Sequence, residues 1–151
     1  MLYLFFEKKF EMQKIKIRSY KPQDFEKVRE NIEEAGLYYP EMDNENRLAE
    51  KISRNPDSIL VAIFNDEIAG SIFIMENGRE SFLFRLAVRK KHRGKGIGTE
   101  LLKRAEKLLQ EKGYSEVSLL IREEKLNLKN YYTKRGYKQG NLYRWFTKKL
   151  S

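Results

Sequence analysis

Leu86-Ala87-Val88-Arg89-Lys90-Lys91-His92-Arg93-Gly94-Lys95-Gly96-Ile97-Gly98-Thr99 is the stretch on which the reading of this chain turns. A β-rich run ends at Val88, and a basic loop with glycines at 94, 96 and 98 follows. Ile97, Leu101, Leu102, Ala105, Leu108 and Leu109 then fall at helical spacing until Gly113. The first-turn amides of such a helix have no internal partner and carry the positive end of its dipole, so the loop predicts an anion site. Arg89, Lys90, Lys91, Arg93 and Lys95 add positive charge for a phosphate. For an arbitrary glycine-rich turn, a helix cap beside a solvated basic loop is the plainer alternative. Two familiar phosphate loops fail on spacing. The G-x-x-x-x-G-K-[ST] loop needs a glycine five residues before Gly94 and a Ser or Thr after Lys95, where Gly96 stands. The dinucleotide fingerprint G-x-G-x-x-G is not met by glycines at 94, 96 and 98.

Outward from the loop, the pattern predicts a mixed sheet. Ile15 and Ile17 alternate with basic residues over 14–18, a half-buried strand. Pro22 opens a helix carrying Phe25, Val28, Ile32 and Ala35 up to Gly36, and Tyr38-Tyr39-Pro40 breaks it. A second helix from about Asn44 carries Leu48 and Ile52 and stops before Asn55-Pro56. Residues 58–64, 67–75 and 80–88 read as an antiparallel meander turned at Asn65-Asp66 and Asn77-Gly78. After the loop helix come a strand over 115–121, a helix over 126–135 ending at Gly136, and an aromatic-rich strand over 142–150. The expected fold is α/β (α+β mixed sheet) in the order β-α-α-β-β-β-α-β-α-β, with no repeat and no linker.

The length of 151 residues, 40% of them hydrophobic, suits one compact core, so residues 1–151 read as a single domain. Residues 1–11 look like an extension, with Met12 as the natural start. The apolar run Met1 to Phe6 stops at charged residues, far short of the ~20 apolar residues of a bilayer span. It lacks the flanks of a secretory signal, so no membrane is expected and the cytoplasm is the default compartment. With no cysteine and one histidine, His92, thiol nucleophiles, Cys-ligated metals and multi-histidine metal sites are excluded, and no metal is expected. Thirty-one Lys and Arg against 22 Asp and Glu give a net charge of +9, which favours anionic partners without choosing among them.

Arg93, Gly96 and Gly98 satisfy R-x-x-G-x-G after Leu86-Ala87-Val88 and before a long amphipathic helix. With Arg18 and Asp24 near the start and Tyr132-x-x-x-Gly136-Tyr137 near the end, the chain resembles the GNAT superfamily of N-acetyltransferases over nearly its whole length. The resemblance implies a mostly antiparallel central sheet with two splayed parallel strands, and acetyl-CoA (coenzyme A) held between them. It implies cofactor contacts from Leu86, Ala87 and Val88, along the pantetheine arm. Arg93, Gly94, Lys95, Gly96, Ile97, Gly98 and Thr99 would take the pyrophosphate. Asn127 is a further candidate contact, since Lys125 stands where the family often has an asparagine.

The implied activity is transfer of acetyl to a primary amine by direct attack in a ternary complex, the acceptor being a peptide N-terminus, an amino acid or a small amine. Tyr132 matches the tyrosine that gives a proton to the departing thiolate, and Glu80, in phase with Phe82 and Phe84, is a candidate general base acting through water. The segment from Glu30 to Glu50, with Glu33, Glu34, Glu41, Asp43 and Glu45 around Leu37-Tyr38-Tyr39, forms an acidic, aromatic rim suited to a cationic amine, or else a solvated helix pair. The net charge of +9, the Arg89 to Lys95 cluster and the basic tail Tyr143 to Lys149 support a rival reading as a non-enzymatic nucleic-acid-binding protein, the less favoured partner class, and a CoA-binding module without catalysis is a third reading. The same aromatic strand could pair two copies edge to edge as a homodimer.

Overall fold

A computed structural model describes residues 14–151; the expected extension over 1–11 and the start at Met12 lie outside the described residues. The chain divides into two compact units, one ending at Leu119 and the other running from Leu120 to Ser151.

In the first unit five strands lie in the spatial order of the sequence: β1 (Lys16–Ser19), β2 (Ile59–Phe64), β3 (Glu67–Glu76), β4 (Ser81–Val88) and β5 (Ser118–Leu119). The pairings from β1 to β4 are antiparallel and β4 pairs with β5 in parallel. Asn65 and Asp66 both take positive φ, 52° and 59°, as a tight two-residue hairpin turn requires. The helices are α1 (Phe25–Glu34), α2 (Pro40–Asp43), α3 (Glu45–Arg54) and α4 (Ile97–Glu111).

Entry into α1 is fixed by Arg18, whose guanidinium grips both Asp24 oxygens at 2.7 and 3.0 Å while the Lys21 amide donates to the same carboxylate. Burial pushes the Asp24 carboxyl up, but these donors outweigh it and hold the group below the usual carboxylate range. At the head of α3 the Asn44 side chain accepts from the Arg47 amide at 3.0 Å.

β3 is covered on both faces, which is why its apolar run does not alternate. Ser71 and Phe73 look toward α1, whose Val28 and Ile32 join Leu48, Ile59 and Val61 in one buried cluster. Gly70 looks toward α4, which buries Ile97, Leu101, Leu102, Ala105 and Leu109. Between Ser71↔Ala87 and Phe73↔Phe84 one residue of β3, Ile72, opposes two of β4, Arg85 and Leu86, a bulge with Arg85 at φ +52°. The parallel pairing stops just before it, at Phe82↔Ser118 and Leu83↔Leu119. The strand expected over 115–121 is only two residues long; β4 begins at Ser81, so on its leading side residues 115–116 have no strand residue opposite them.

The second unit holds a 3-10 turn at Glu123–Lys125 and α5 (Leu128–Thr133), shorter than the helix expected over 126–135. The closing strand expected over 142–150 is not formed. Leu142, Tyr143, Trp145, Phe146 and Leu150 are between 81% and 93% exposed. No strand or helix forms over these residues, and none of these side chains finds a face to bury against. The edge-to-edge homodimer expected through that strand has no strand there to form it.

A Cβ on Gly70 would stand 2.9 Å from the Ala87 carbonyl oxygen and 3.1 and 3.2 Å from Leu101 and Ile97. Gly70→Ala should lower stability by about 1–3 kcal/mol, the usual cost of overpacking. A urea midpoint equal to that of the parent would contradict it.

Candidate active site

The anion site predicted at the head of α4 has the local geometry such a site needs. Gly94 and Gly96 take φ +76° and +83°, conformations that L side chains rarely adopt, and open space lies where their Cβ atoms would be. Gly96 is the residue before the helix, no side chain caps it, and the first internal bond is Glu100 N–H to the Gly96 carbonyl at 3.0 Å. The amides of Ile97 and Gly98 thus precede the helix's own bonding, and Thr99 completes that first turn.

The charges expected to meet an anion are partly spent on holding the loop. Arg89 reaches Glu30 at 3.2 Å and Glu34 at 3.6 Å, and Glu34 also accepts from the Lys90 amide. Lys91 pairs with Glu67 at 2.7 Å, and the buried His92 ring bonds the same carboxylate through Nε2. Lys91 first and then His92 draw the Glu67 carboxyl down to about 2. Lys95 sits 4.9 Å over the Phe64 ring. Of the five basic residues, Arg89 and Lys91 anchor the loop by ion pairs, and Glu33 and Glu34 of the expected acidic rim are paired with Arg29 and Arg89.

Below the loop, β4 offers an open edge. Arg89 donates to the Ala69 carbonyl at 2.8 Å, so alternation turns the main-chain groups of Val88 away from β3. β5 does not reach Val88, and its carbonyl accepts instead from the Arg93 Nε at 3.0 Å. Leu86 and Ala87 lie in the same stretch that β5 does not pair, and Ala87, the partner of Ser71 on β3, gives its carbonyl to the buried Asn31 Nδ2 at 3.1 Å. Asn31 also donates to Ser71 Oγ at 2.9 Å, tying α1 to both strands at the Ser71↔Ala87 pair beside the bulge.

Glu80 stands in the hairpin before β4, exposed, its amide donating to Asn77 Oδ1 at 2.8 Å. Along a strand rising ~3.3 Å per residue it is about 25 Å from Val88. Tyr132 and Asn127 belong to the second unit. The Tyr132 ring packs at 5.1 and 5.7 Å from Tyr131 and Tyr137, and burial chiefly pushes its phenol up to about 12. Asn127 precedes α5, exposed, and its side chain makes no cap bond.

Sequence reasoning missed a second cluster. The bulge brings Phe84 and Arg85 together, the Arg85 guanidinium lying 5.6 Å over the Phe84 ring and 4.9 Å over that of Tyr39. Its Nε donates at 3.0 Å to Asp43, which is 3% exposed and also accepts from the Tyr39 amide at 2.8 Å. Lys51 of α3 approaches the Phe84 ring at 5.2 Å and donates to the Ile74 carbonyl. The signal available was a charged residue inside the otherwise apolar run Phe82 to Val88.

Residues 23–137 match the acetyltransferase (GNAT) family. The chain belongs to that family. An acetyltransferase of Pectobacterium atrosepticum is 33% identical to this GNAT enzyme over 82% of this chain and 87% of its own length. The N-acetyltransferase PaiA of Thermoplasma acidophilum, solved in complex with coenzyme A, is 26% identical, with a TM-score of 0.69 over 80% of this chain and 88% of that one. Ard1 of Thermoplasma volcanium shares the fold at a TM-score of 0.72, with 22% identity over 81% of each chain. Among the described residues no helix is long and apolar enough to cross a membrane, and no group of three potential metal ligands occurs.

Burial lowers the Lys51 ammonium to about 8, against a partial opposing pull from Glu76. Between pH 8 and the ordinary lysine value near 10.5 the unfolded chain therefore holds a proton that the folded one has released. Stability should rise with pH across that window until ~10, where Tyr20 and Tyr132, both pushed up to about 12, begin to act in the opposite sense. Lys51→Met should flatten the rise in urea midpoint between pH 8 and 10, whatever its effect on stability at neutral pH; an unchanged slope would count against a desolvated Lys51.

Proposed function

We propose that this acetyltransferase moves the acetyl group of acetyl-CoA to a primary amine by direct attack within a ternary complex. The observation that carries the reading is the pairing of an uncapped α4 terminus with the open edge of β4. The residues fit the donor. The amides from Gly94 to Gly98, with Thr99 and the side chains of Arg93 and Lys95, suit a pyrophosphate. The outward main-chain groups of Val88, with Leu86 and Ala87 beside it, suit the amides of an extended pantetheine arm. The coenzyme A bound by the Thermoplasma acidophilum relative supports the same ligand here. The matched region crosses the boundary at Leu119, which supports one catalytic domain built from both units, and we take the cytoplasm as its compartment.

In the reaction the amine lone pair forms the new C–N bond to the acetyl carbon, the C–S bond breaks, and the thiolate leaves. Tyr132 keeps its proton across the working pH range, because its phenol is pushed up to about 12. An alkyl thiol ordinarily titrates near 8.5, well below this phenol, so Tyr132 serves the departing sulfur as a hydrogen-bond donor that stabilises the thiolate, which then leaves as the anion or takes its proton from water. The amine loses its proton to water, and Glu80, in the hairpin at the far end of β4, is not assigned this role. Asn127 is kept as an auxiliary contact to the donor.

The deciding experiment is the thermal midpoint with acetyl-CoA, CoA, ATP, NAD and a short DNA duplex at equal concentration. A ligand at a hundredfold excess over its Kd adds about 2.7 kcal/mol. Acetyl-CoA and CoA should raise the midpoint selectively; a response to DNA alone would move the basic-surface reading to first place. Tyr132→Phe should lower kcat by about 10²-fold with the acetyl-CoA shift retained. A fully active variant would remove the role.

A further inference from the structure

The Arg85 guanidinium is 14% exposed and uses only Nε within the fold, on Asp43. Its two Nη groups, four N–H donors in a plane, have no hydrogen-bond partner among the described residues. Leaving such donors unfilled in a half-dry environment is costly, which makes them a site for an oxygen acid. The backbone there takes φ +52°, rare for a bulky residue, and the bulge is what turns the side chain toward α2. Tyr39 and Phe84 flank the guanidinium, and Asp43 fixes its orientation from behind. Local charge points the same way. Around the Phe84 ring stand two cations, Arg85 and Lys51, and Lys51 makes no ion pair within 4 Å among the described residues. Asp43 is the one carboxylate paired with either.

Next to this cluster, Tyr39, Pro40, Glu41 and Met42 line a pocket of about 370 Å3, enough for a small ligand. Tyr39 is common to both, one ring serving the pocket and the guanidinium. Glu41 supplies a carboxylate on the pocket side, while Arg85 and Lys51 supply positive charge at Phe84. Such a division of charge suits a molecule with a cationic end and an anionic end.

We propose that Arg85 reads a carboxylate on the acceptor, so that the enzyme acetylates amines that also bear a carboxylate, amino acids being the simplest class. This rests on the amine-acetyltransferase reading above and narrows its acceptor. The two Nη groups donate side by side to the two carboxylate oxygens, while Asp43 keeps the fork from rotating. An ammonium in place of the guanidinium would keep the charge and lose the fork.

The test is an initial-rate assay of thiol release from acetyl-CoA with matched pairs, an amino acid and its amide, such as β-alanine with β-alaninamide and leucine with leucinamide. The amide has the more readily deprotonated amine, so a preference for the acid runs against intrinsic reactivity. At least one acid should exceed its amide about tenfold or more in kcat/KM. Arg85→Gln should lower kcat/KM for that acid at least tenfold more than for its amide, mainly through KM, while acetyl-CoA still raises the thermal midpoint. If Arg85→Gln does not fold, Arg85→Lys carries the same expectation. Equal rates within every pair, a preference that survives in a folded Arg85 variant, or no turnover of either member while acetyl-CoA still stabilises the protein would each overturn the proposal. A parent protein indifferent to acetyl-CoA would overturn the acetyltransfer reading beneath it as well.

Discussion

One extra residue in β4 sets the geometry on which the rest of the first unit depends. Arg85 and Leu86 there oppose Ile72 alone, and the strand bends at Arg85. Upstream of the bend β4 holds β5 in parallel at two positions; downstream the Val88 carbonyl, turned from β3, accepts from the Arg93 side chain. The bulge persists because its surroundings over-determine it. Asn31 bonds both members of the adjoining pair, Ser71 and Ala87, Arg85 is fastened to Asp43, and the Ala87 carbonyl sits close against Gly70.

The basic loop shows how a net charge of +9 is distributed by function rather than spread evenly. A loop rich in Lys and Arg repels itself, and here two carboxylates of α1 and one of β3 absorb part of that repulsion. Arg89 on Glu30 and Glu34, and Lys91 with His92 on Glu67, make a fixed base for the turn. Exposed pairs of this kind contribute little to global stability. Their effect is positional: they hold the chain on both sides of Gly94 and Gly96, so the amides at the head of α4 converge without a side-chain cap. The ligand-facing charge then comes from Arg93, Lys95 and the helix terminus.

Much of this was legible in the sequence. The meander, α1, α3 and α4 follow from periodicity and from punctuation at Pro22, Asn44, Asn65-Asp66 and Gly113. The loop was legible because glycine spacing after a strand and before an apolar helical stripe is a local pattern. What escaped was set by partners distant in the chain. Residues 115–121 have strand composition, but only Ser118 and Leu119 find partners on β4. Residues 142–150 are rich in aromatic side chains, yet composition without a buried face does not make a strand. Asp43 read as one of several rim acids; only the fold buries it and brings it to Arg85, 42 residues away.

β4 joins two kinds of recognition that need not change together. Its downstream end and the α4 terminus offer main-chain groups, which any sequence supplies, so that side of the site depends on backbone course and a few glycines. Its bulged residue offers a side chain, held by a four-residue helix between α1 and α3 that rests on the Asp43 contacts with Tyr39 and Arg85. Substitutions in Tyr39 to Asp43 alter the pocket wall without touching the loop, and substitutions in the loop leave that wall in place. Arg85 links the two by position: its φ aims the guanidinium, and the same strand runs on to the Val88 edge. A residue with no long side chain at 85 could keep the bulge and the open edge while losing the reader, which makes this position a point where acceptor choice can change on an unchanged donor site.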